Sequence, residues 1–542
     1  MDYSYLLNTH TADKWQRIGI NRRAGVCAPL FHIYSQQSIG IGDFSDLKRL
    51  VDWCNITGQT IIQLLPLNEL SHDFSPYNSI STFALEPCYV SLRHLRRVEI
   101  KSYADNIAKL KKKFPAGEKR VNYEIKDAKL KLLRKIFLKL KNFNSRNYNK
   151  FIRTNIYWLK SYAAFKILKQ KSGDKDWSNW NEINKNFSEE LIKKTEEKNK
   201  KEFEFYYWLQ WQLYEQLKSA RRYANRNNVL LLGDLPFLVA RDSVDVWSQQ
   251  NFFILNKQAG APPDMYFAKG QKWGMPPYDW GNIATDNWAY IKNRLKYAEN
   301  FYDMFRIDHF VGLFRLWTLS YEENKLKKTG GSFEPQQENL WETHGRTIIS
   351  EMNSATDMLP CAEDLGTVPQ CSYTVLKEFG IPGIDVQRWN KVYHDGFHFK
   401  NPLEYRTNSI ATVSTHDSSF LPVWWKYEAG YIDKLERKFF LNFLGLNEDQ
   451  FDTGFIYCAL QKVMEAASIF SIQLLPEYLY LDENILEKYS DWTYRINFPG
   501  YVSQDNWSIT SPCSLEALKR LEINDTILKI VKENNRYVTK DE

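Results

Sequence analysis

The chain lacks the sequence features of a membrane protein, a disulfide-linked protein or a zinc protein. No stretch of about 18 consecutive apolar residues occurs, which predicts no membrane-spanning helix. The first ten residues contain no basic segment followed by a long apolar run, so we expect no secretory signal. The seven cysteines are scattered and never spaced C-x-x-C. This pattern argues against a disulfide framework or a zinc site and favours a reducing cytoplasm.

Motifs for nucleotide binding and for serine hydrolases are also missing. Neither G-x-G-x-x-G nor G-x-x-x-x-G-K-[ST] follows an apolar run, so no phosphate-binding loop is predicted. No G-x-S-x-G motif occurs. His309 lies more than a hundred residues from His416 and Asp417, whereas zinc usually takes several closely spaced ligands. We therefore expect no metal and no cofactor.

Positive charge is concentrated in one segment of the chain. The net charge is +7, but residues 98–205 hold 28 Lys and Arg against 14 Asp and Glu, so the remainder carries −7. A nucleic-acid or membrane surface would have to be formed by that segment alone. A solubilising Lys-rich face accounts for the same composition, and we expect neither nucleic acid nor a membrane as a partner.

Eight short apolar runs recur along the chain, with helix-like stretches between most of them. The runs are mostly continuous rather than alternating, which is typical of strands buried on both faces. Alternating strands and helices predict a parallel α/β sheet, and eight repeats predict a (β/α)8 TIM barrel, with an open sheet as the alternative. The runs cover residues 25–30, 59–67, 229–236, 304–308, 359–363, 384–389, 409–417 and 471–476.

The gap between the second and third runs is too long for one crossover. It contains 129–141, an amphipathic stretch with helical period. We predict that 98–205 is a Lys-rich helical insertion in a barrel built from 1–97 and 206–542. Only 66 residues follow the eighth run, and part of them looks helical. We therefore expect no C-terminal β-sandwich domain.

Three acidic residues each follow an apolar run. They are Asp308, Glu363 and Asp417, separated by 55 and 54 residues. In parallel α/β barrels the carboxyl ends of the strands form the catalytic edge. Three acids at that edge suit the chemistry of a glycosidic bond, which needs a nucleophile, a proton donor and a group that holds the sugar.

The neighbours of the three acids fit these roles. Arg306 lies two residues before Asp308, and side chains two apart on a strand share a face, so the guanidinium can keep the carboxylate ionised. Burial and a neighbouring carboxylate would raise the pKa of Glu363, as a proton donor requires. His416 beside Asp417 suits sugar hydroxyls. The alternatives are a structural ion pair at 306 and 308, a helix cap after the fifth run and a surface loop around 417.

An aromatic loop precedes the fourth run. Residues 264–280 hold five aromatic side chains among glycines and prolines, so the segment cannot be a regular strand or helix throughout. Placed over a catalytic edge, such a loop could stack on sugar rings and exclude water. The alternative is an Ω-loop whose aromatic side chains form its own small core.

Several segments together resemble the amylomaltases, or disproportionating enzymes, which are the 4-α-glucanotransferases of glycoside hydrolase family 77. The similarity covers nearly the whole chain except the Lys-rich segment, and the order of the motifs is the family's order. The segments that carry it are Ser75–Ala84 with S-P-Y, Gly233–Trp247 with G-D-L-P and D-S-x-D-V-W, Gly260–Gly274 in the active-site loop at 260–280, and Arg495–Gly500 with Asn506–Trp507.

The resemblance implies a transferase that moves α-1,4-glucan segments between malto-oligosaccharides by a retaining double displacement. Asp308 would be the nucleophile, Glu363 the acid and base, and Asp417 the residue that holds the distorted ring. Tyr77 would stack on a donor sugar. The resemblance implies substrate-binding roles for Tyr77, Asp234, Asp264, Tyr266, Gln271, Trp273, Arg306, His309 and His416.

Three positions depart from the family pattern, and two other functions stay open. The departures are Ser418, Met275 and Leu85-Glu86. An α-amylase-like hydrolase would use the same barrel and acids, although such enzymes usually carry a C-terminal β-sandwich. A non-catalytic barrel could instead use its basic insertion as a binding surface.

Overall fold

A computed structural model of the protein describes residues 1–141, 143–263, 270–321, 330–393, 397–431, 434–447 and 450–539. Its strands form one large parallel sheet and two small antiparallel ones. In chain order the strands are β1 (Arg23–Cys27), β2 (Ile61–Gln63), β3 (Leu230–Leu235), β4 (Lys257–Ala261), β5 (Gln271–Lys272), β6 (Met304–Ile307), β7 (Leu316–Ser320), β8 (Ser332–Glu334), β9 (Leu359–Ala362), β10 (Gly383–Val386), β11 (Lys391–Val392), β12 (His398–Phe399), β13 (Ser409–Thr412) and β14 (Phe470–Leu474).

The large sheet has eight parallel strands in the order β10-β13-β14-β1-β2-β3-β6-β9. A backbone hydrogen bond of 2.7 Å, from the N–H of Ala362 to the carbonyl of Pro382, connects the end of β9 to the residue before β10 and closes the ring. Strands β1 and β14 are buried at every residue, as strands covered on both faces should be. The predicted (β/α)8 barrel is confirmed, and each of the eight apolar runs contains or overlaps one barrel strand.

Helices surround the barrel and begin and end where local sequence signals allow. Ser145 and Ser243 cap their helices by accepting a backbone N–H, and Gly58 ends another in the left-handed conformation. The helices are α1 (Ala12–Ile18), α2 (Asp46–Thr57), α3 (Ala104–Lys113), α4 (Glu124–Phe137), α5 (Arg146–Lys171), α6 (Glu182–Lys185), α7 (Glu189–Lys198), α8 (Lys200–Arg226), α9 (Val244–Ser248), α10 (Trp280–Thr285), α11 (Ala289–Ala298), α12 (Glu338–Ser354), α13 (Gln370–Phe379), α14 (Leu421–Val423), α15 (Glu436–Leu444), α16 (Thr453–Glu465), α17 (Leu475–Leu479), α18 (Glu483–Tyr489), α19 (Leu515–Leu518) and α20 (Ile523–Glu533).

Helices α3 to α8 fill the long gap between β2 and β3. Their buried faces are aromatic and aliphatic, and the long helices α5 and α8 pack against each other. Helix α8 is continuous through residue 205, the predicted end of the insertion, because its apolar face runs on from Phe203 to Ala224. The division of the chain at 98 and 205 stays a prediction.

A small antiparallel sheet in the order β5-β4-β7-β8 lies outside the barrel. It was not anticipated from the sequence, because its strands are only two to five residues long and do not alternate clearly. The pairing of β4 with β5 forms the base of the aromatic loop. The described residues after β14, 475–539, contain helices and no strand. Among the helices that the structure describes, none has the length and apolar character needed to cross a bilayer.

Candidate active site

The three predicted acids lie at one edge of the barrel. Asp308 directly follows β6, Glu363 directly follows β9, and Asp417 lies five residues beyond β13. Strands β6 and β9 are neighbours, and only β10 separates β9 from β13 around the ring. Because all of these strands are parallel, their carboxyl ends meet at the same edge, where barrel enzymes have their active sites.

Arg306 connects two of the acids. Its Nη1 lies 3.1 Å from Oδ1 of Asp308, and its Nη2 lies 3.8 Å from Oε2 of Glu363. The same Nη1 donates to both oxygens of Asp234 at 2.9 and 2.8 Å, since Asp234 and Arg306 are register partners on β3 and β6. The predicted pairing of residues 306 and 308 on one strand face is present. One guanidinium group therefore contacts three carboxylates that come from three neighbouring strands.

Glu363 has the properties of a proton donor. Burial raises its pKa to about 8, and the charge of Asp308 adds to the rise, while Arg306 and the backbone N–H of His309 oppose it. A carboxyl group with such a pKa carries its proton at neutral pH. The neighbouring carboxylate that contributes is Asp308, while Asp364 accepts the N–H of Ile384 and pairs with Arg406.

His309 has an unusual backbone conformation that turns its N–H toward Glu363. Its φ is 44°, in the left-handed region, and its N–H donates to Oε2 of Glu363 at 2.7 Å. Burial lowers the pKa of its imidazole to about 4, so the ring is neutral near pH 7. The ring meets Trp273 edge to face, with 4.9 Å between centroids.

Asp417 is held by two residues that the sequence analysis did not single out for this role. The Nδ2 of Asn497 donates to Oδ1 of Asp417 at 2.7 Å, and Arg495 donates to its backbone carbonyl at 2.6 Å. Burial opposes ionisation, but the charge and hydrogen bond of His416 and the bond from Asn497 outweigh it and lower the pKa of Asp417. The side chain stays 44% exposed, so the ionised carboxylate is open to a ligand.

The hydroxyl of Tyr77 connects Asp234, which is bound to Arg306, with His416, which lies beside Asp417. Its hydroxyl donates to Oδ2 of Asp234 at 2.7 Å and lies 3.0 Å from Nε2 of His416. Its ring is parallel to the imidazole of His416, with centroids 5.4 Å apart. Asp234 is fully buried, and burial raises its pKa even though Arg306 opposes the shift. The S-P-Y segment therefore reaches the catalytic edge through Tyr77.

The aromatic loop is described only in part. Trp273 is half-buried beside His309, and its Nε1 donates to Oε1 of Gln271 at 3.1 Å. Gln271 belongs to β5, which pairs with β4 at the base of the loop. Asp264 and Tyr266, both predicted to bind substrate, lie outside the described residues. Of the two predicted loop residues that the structure describes, Gln271 and Trp273, it is Trp273 that packs against His309.

Two buried carboxylates fix the base of the segment that carries Tyr77. Glu69 and Glu86 are fully buried. Lys126 of α4 lies 2.8 Å from Glu86 and 3.7 Å from Glu69, and Lys166 of α5 lies 2.8 Å from Glu69. We call these four residues the lysine clamp. Sequence reasoning missed it, because lysines in a Lys-rich stretch look solvent-exposed until tertiary contacts bury them.

The three departures from the family pattern have local structural roles. Ser418 Oγ accepts the N–H of Thr415 at 3.0 Å and so closes the turn after β13. The carbonyl of Met275 accepts the N–H of Ala259, which fixes the end of the aromatic loop on β4. Glu86 belongs to the lysine clamp. No group of three or more metal-binding side chains occurs within the part of the chain that the structure describes.

Comparison with known proteins agrees with this architecture. The chain matches the family described as 4-alpha-glucanotransferase, glycoside hydrolase family 77, over residues 28–514. It is 35% identical over 528 residues to a 4-alpha-glucanotransferase of Chlamydia caviae, covering 94% of each chain. A Chlamydia pneumoniae 4-alpha-glucanotransferase is 36% identical over 527 residues, covering 95% of this chain and 96% of that one.

The fold is also that of a solved amylomaltase. The amylomaltase from Streptococcus agalactiae, determined in complex with acarbose, superimposes with a TM-score of 0.81 at 22% identity, covering 95% of this chain and 99% of that chain. This likeness concerns the fold, while the sequence matches establish the relationship. By the extent of those matches, the chain belongs to the 4-alpha-glucanotransferase family, glycoside hydrolase family 77.

Proposed function

We propose that this 4-alpha-glucanotransferase moves α-1,4-glucan segments between malto-oligosaccharides by a retaining double displacement. The proposal rests above all on the contacts of Arg306 with Asp308 and Glu363. A retaining glycosidase needs a carboxylate nucleophile and a protonated acid on either side of one glycosidic bond, with roughly 5–5.5 Å between the two carboxyl groups. That separation stays a prediction of the mechanism.

In the first step Asp308 attacks the anomeric carbon of the donor sugar. A bond forms from a carboxylate oxygen to that carbon while the bond to the leaving sugar breaks, and its electron pair goes to the leaving oxygen. Glu363 gives its proton to that oxygen. Arg306 holds the Asp308 carboxylate in position through its 3.1 Å contact. The product is a glycosyl ester on Asp308 and a released sugar chain.

In the second step an acceptor glucan takes the place of the released chain. The carboxylate of Glu363 removes a proton from the acceptor hydroxyl, whose oxygen attacks the anomeric carbon and displaces Asp308. Water in place of the acceptor would give hydrolysis. Trp273, packed against His309, is positioned to exclude water while the acceptor enters.

The remaining site residues bind the sugar ring at the cleavage point. Asp417 is ionised and 44% exposed, so it can accept hydrogen bonds from two ring hydroxyls. His416 lies beside it at 3.3 Å, and its neighbour Tyr77 presents an aromatic ring for a donor sugar. Asp264, Tyr266 and Gln271 are proposed to contact the acceptor side through the aromatic loop.

The other features of the chain fit this role. Donor and acceptor are neutral glucans, so we propose no cofactor, nucleic acid or membrane as a partner. The seven cysteines are unpaired, which suits a reducing cytoplasm. We also propose that residues 98–205 are an insertion that supports the Tyr77 segment through Lys126 and Lys166.

Incubation with maltotriose tests the function directly. Transfer gives glucose together with a ladder of chains longer than three units, whereas an α-amylase-like hydrolase gives mainly glucose and maltose. Asp308→Asn should lower the rate of ladder formation by several orders of magnitude, since no other group forms the covalent bond. Asp105→Asn, an exposed position on α3, serves as the matched control and should leave the ladder intact. A ladder that persists in Asp308→Asn would contradict the proposal.

A further inference from the structure

A crevice outside the catalytic edge has the lining of a sugar-binding site. It lies between α5 on one side and α9 with α11 on the other, and it encloses about 240 Å³. We call it the α5 crevice. We propose that it binds a segment of neutral α-1,4-glucan without cleaving it, and so holds long substrates beside the active site. The choice of glucan as occupant rests on the proposed function.

One wall of the α5 crevice is aromatic. Phe83, Tyr157 and Trp158 line it. The Phe83 ring is stacked with Trp158 at 5.8 Å and meets Tyr157 edge to face at 5.6 Å, so the orientation of both indole and phenol is fixed. The Tyr157 side chain remains 47% exposed. Phe83 and Trp158 are themselves buried, so the partly exposed ring of Tyr157 offers the apolar surface on which the CH face of a sugar packs.

The opposite wall carries polar side chains with unused hydrogen-bonding capacity. Oε1 of Gln249 is shielded from solvent and has no hydrogen-bond partner. Asn251, Asp286 and Asn293 stand exposed at the rim. Ligand pockets typically combine an aromatic wall with a few such polar groups, which orient the ligand. Amide and carboxylate groups can pair with the several hydroxyls of a glucose unit.

The charge of the crevice selects against anions. Its lining includes the carboxylates of Asp245 and Asp286, and none of its described lining residues is Lys or Arg. A phosphorylated sugar or a nucleotide would be repelled by the exposed carboxylate of Asp286 at the rim, which costs binding free energy. A neutral, hydroxyl-rich ligand avoids that repulsion, and α-1,4-glucan is the neutral ligand that the proposed reaction supplies.

Hydrogen bonds connect the crevice to the segment that carries Tyr77. Asp245, in the crevice wall, accepts the backbone N–H of Thr82 at 3.0 Å. The N–H of Val244 donates to the carbonyl of Ile80, and the N–H of Ala240 donates to that of Ser79. The crevice wall and the Tyr77 segment thus form one hydrogen-bonded unit. A glucan held there is tethered close to the catalytic edge, which raises its effective concentration at the active site.

The consequence is a dependence on substrate length. A long glucan can occupy the crevice and the catalytic cleft together, whereas maltotriose fills only one of them. Loss of the crevice should therefore raise KM for a long glucan and leave transfer from maltotriose nearly unchanged. A defect in the catalytic cleft would affect both substrates, so the two causes are separable by kinetics.

The first experiment measures binding by the full chain carrying Asp308→Asn, which cannot consume the glucan. Electrophoresis in native gels with soluble amylopectin should retard this protein, and adding Tyr157→Ala or Asn293→Ala should weaken the apparent affinity by about tenfold, as expected for the loss of an aromatic contact or a hydrogen bond. Tyr537→Ala is the matched control, since Tyr537 is 44% exposed beside Lys532 and does not line the crevice, and it should leave retardation unchanged.

The second experiment uses the active chain with the same substitutions. We expect KM for amylopectin as donor to rise at least about fivefold in Tyr157→Ala, the range of one lost contact, with kcat/KM for maltotriose within about twofold. Asn293→Ala, at an exposed position, repeats the test with little risk to folding. Two results would overturn the proposal. One is equal retardation by amylopectin with and without the substitutions, and the other is that binding of adenosine requires Tyr157 while binding of amylopectin does not.

The outcomes also separate this proposal from the proposed function. If the protein forms the maltotriose ladder but its retardation by amylopectin does not depend on Tyr157, the crevice proposal alone is overturned. Retardation that depends on Tyr157, in a protein that forms no ladder, would overturn the transferase mechanism and leave the crevice as a glucan-binding site.

Discussion

The backbone N–H of His309 donates a 2.7 Å hydrogen bond to Oε2 of Glu363. This bond joins the carboxyl ends of two adjacent barrel strands, and it needs the left-handed backbone that His309 adopts with φ of 44°. A hydrogen bond of this kind favours the carboxylate form, as does Arg306, yet burial is stronger and raises the pKa of Glu363 to about 8. The hydrogen bond at Oε2 therefore orients the Glu363 carboxyl group, and this group is protonated at neutral pH.

The pH profile of transfer should report this pKa. The proposed first step requires protonated Glu363, and the protonated fraction falls as the pH rises through about 8. We expect kcat/KM for maltotriose to be level near neutral pH and to fall about tenfold per pH unit well above 8. Initial rates between pH 6 and pH 10 measure it. An unchanged rate at pH 10 would exclude Glu363 as the proton donor.

Glu363→Gln provides an independent test of the same role. The amide cannot donate a proton to the leaving sugar, so transfer from maltotriose should fall by about 10²–10⁴. With maltosyl fluoride as the donor, the rate of the first step should fall much less, because fluoride departs without protonation. Equal losses with both donors would show that the substitution damages the site rather than removing an acid.

The lysine clamp should contribute strongly to stability. Lys126→Met leaves the fully buried carboxylate of Glu86 without its cation, while Glu69 keeps Lys166, and breaking a buried ion pair in this way costs about 3–5 kcal/mol. Lys131→Met, at an exposed position of the same helix, should change stability by less than about 0.5 kcal/mol. Thermal melting of both variants measures the difference. Adding Glu86→Gln to Lys126→Met should restore part of the loss, since one uncompensated charge is removed.

Much of the site could be predicted from the chain because its signals are local. Continuous apolar runs marked the barrel strands, and the strand period of two placed Arg306 beside Asp308. The position of an acid directly after a strand placed Asp308 and Glu363 at one edge. Each of these inferences needs only a few neighbouring residues, and the parallel topology then brings the carboxyl ends of the strands to one edge.

The parts that could not be predicted depend on contacts between distant residues. Asn497 reaches Asp417 from 80 residues away, and no local pattern marks it as a partner. Lys126 looks like any lysine of a basic helix until the fold buries Glu86 beside it. The small sheet escaped notice because strands of two to five residues carry too few side chains to show a period.

Trp273 should control the balance between transfer and hydrolysis. Its ring packs against His309 beside the acids, where it can keep water from the glycosyl ester until an acceptor enters. We expect Trp273→Ala to raise the hydrolysed share of turnover by about fivefold or more, measured as new reducing ends against ladder products. Trp273→Phe keeps an aromatic ring and should recover most of the transfer. An unaltered ratio in Trp273→Ala would assign water exclusion to other residues.

Tyr77 should contribute to rate through its hydroxyl and to substrate affinity through its ring. Tyr77→Phe leaves Oδ2 of buried Asp234 without its 2.7 Å donor, a loss of about 1–3 kcal/mol that disturbs the carboxylate bound to Arg306. The same loss of free energy corresponds to a fall in kcat of about tenfold or more, and KM should stay nearly constant. Tyr77→Ala should also raise KM. Tyr223→Phe is the matched control, since Tyr223 donates to Asp52 at the same 2.7 Å on α8. If Tyr77→Phe and Tyr223→Phe had the same small effect on kcat, the hydroxyl of Tyr77 would have no role in the reaction.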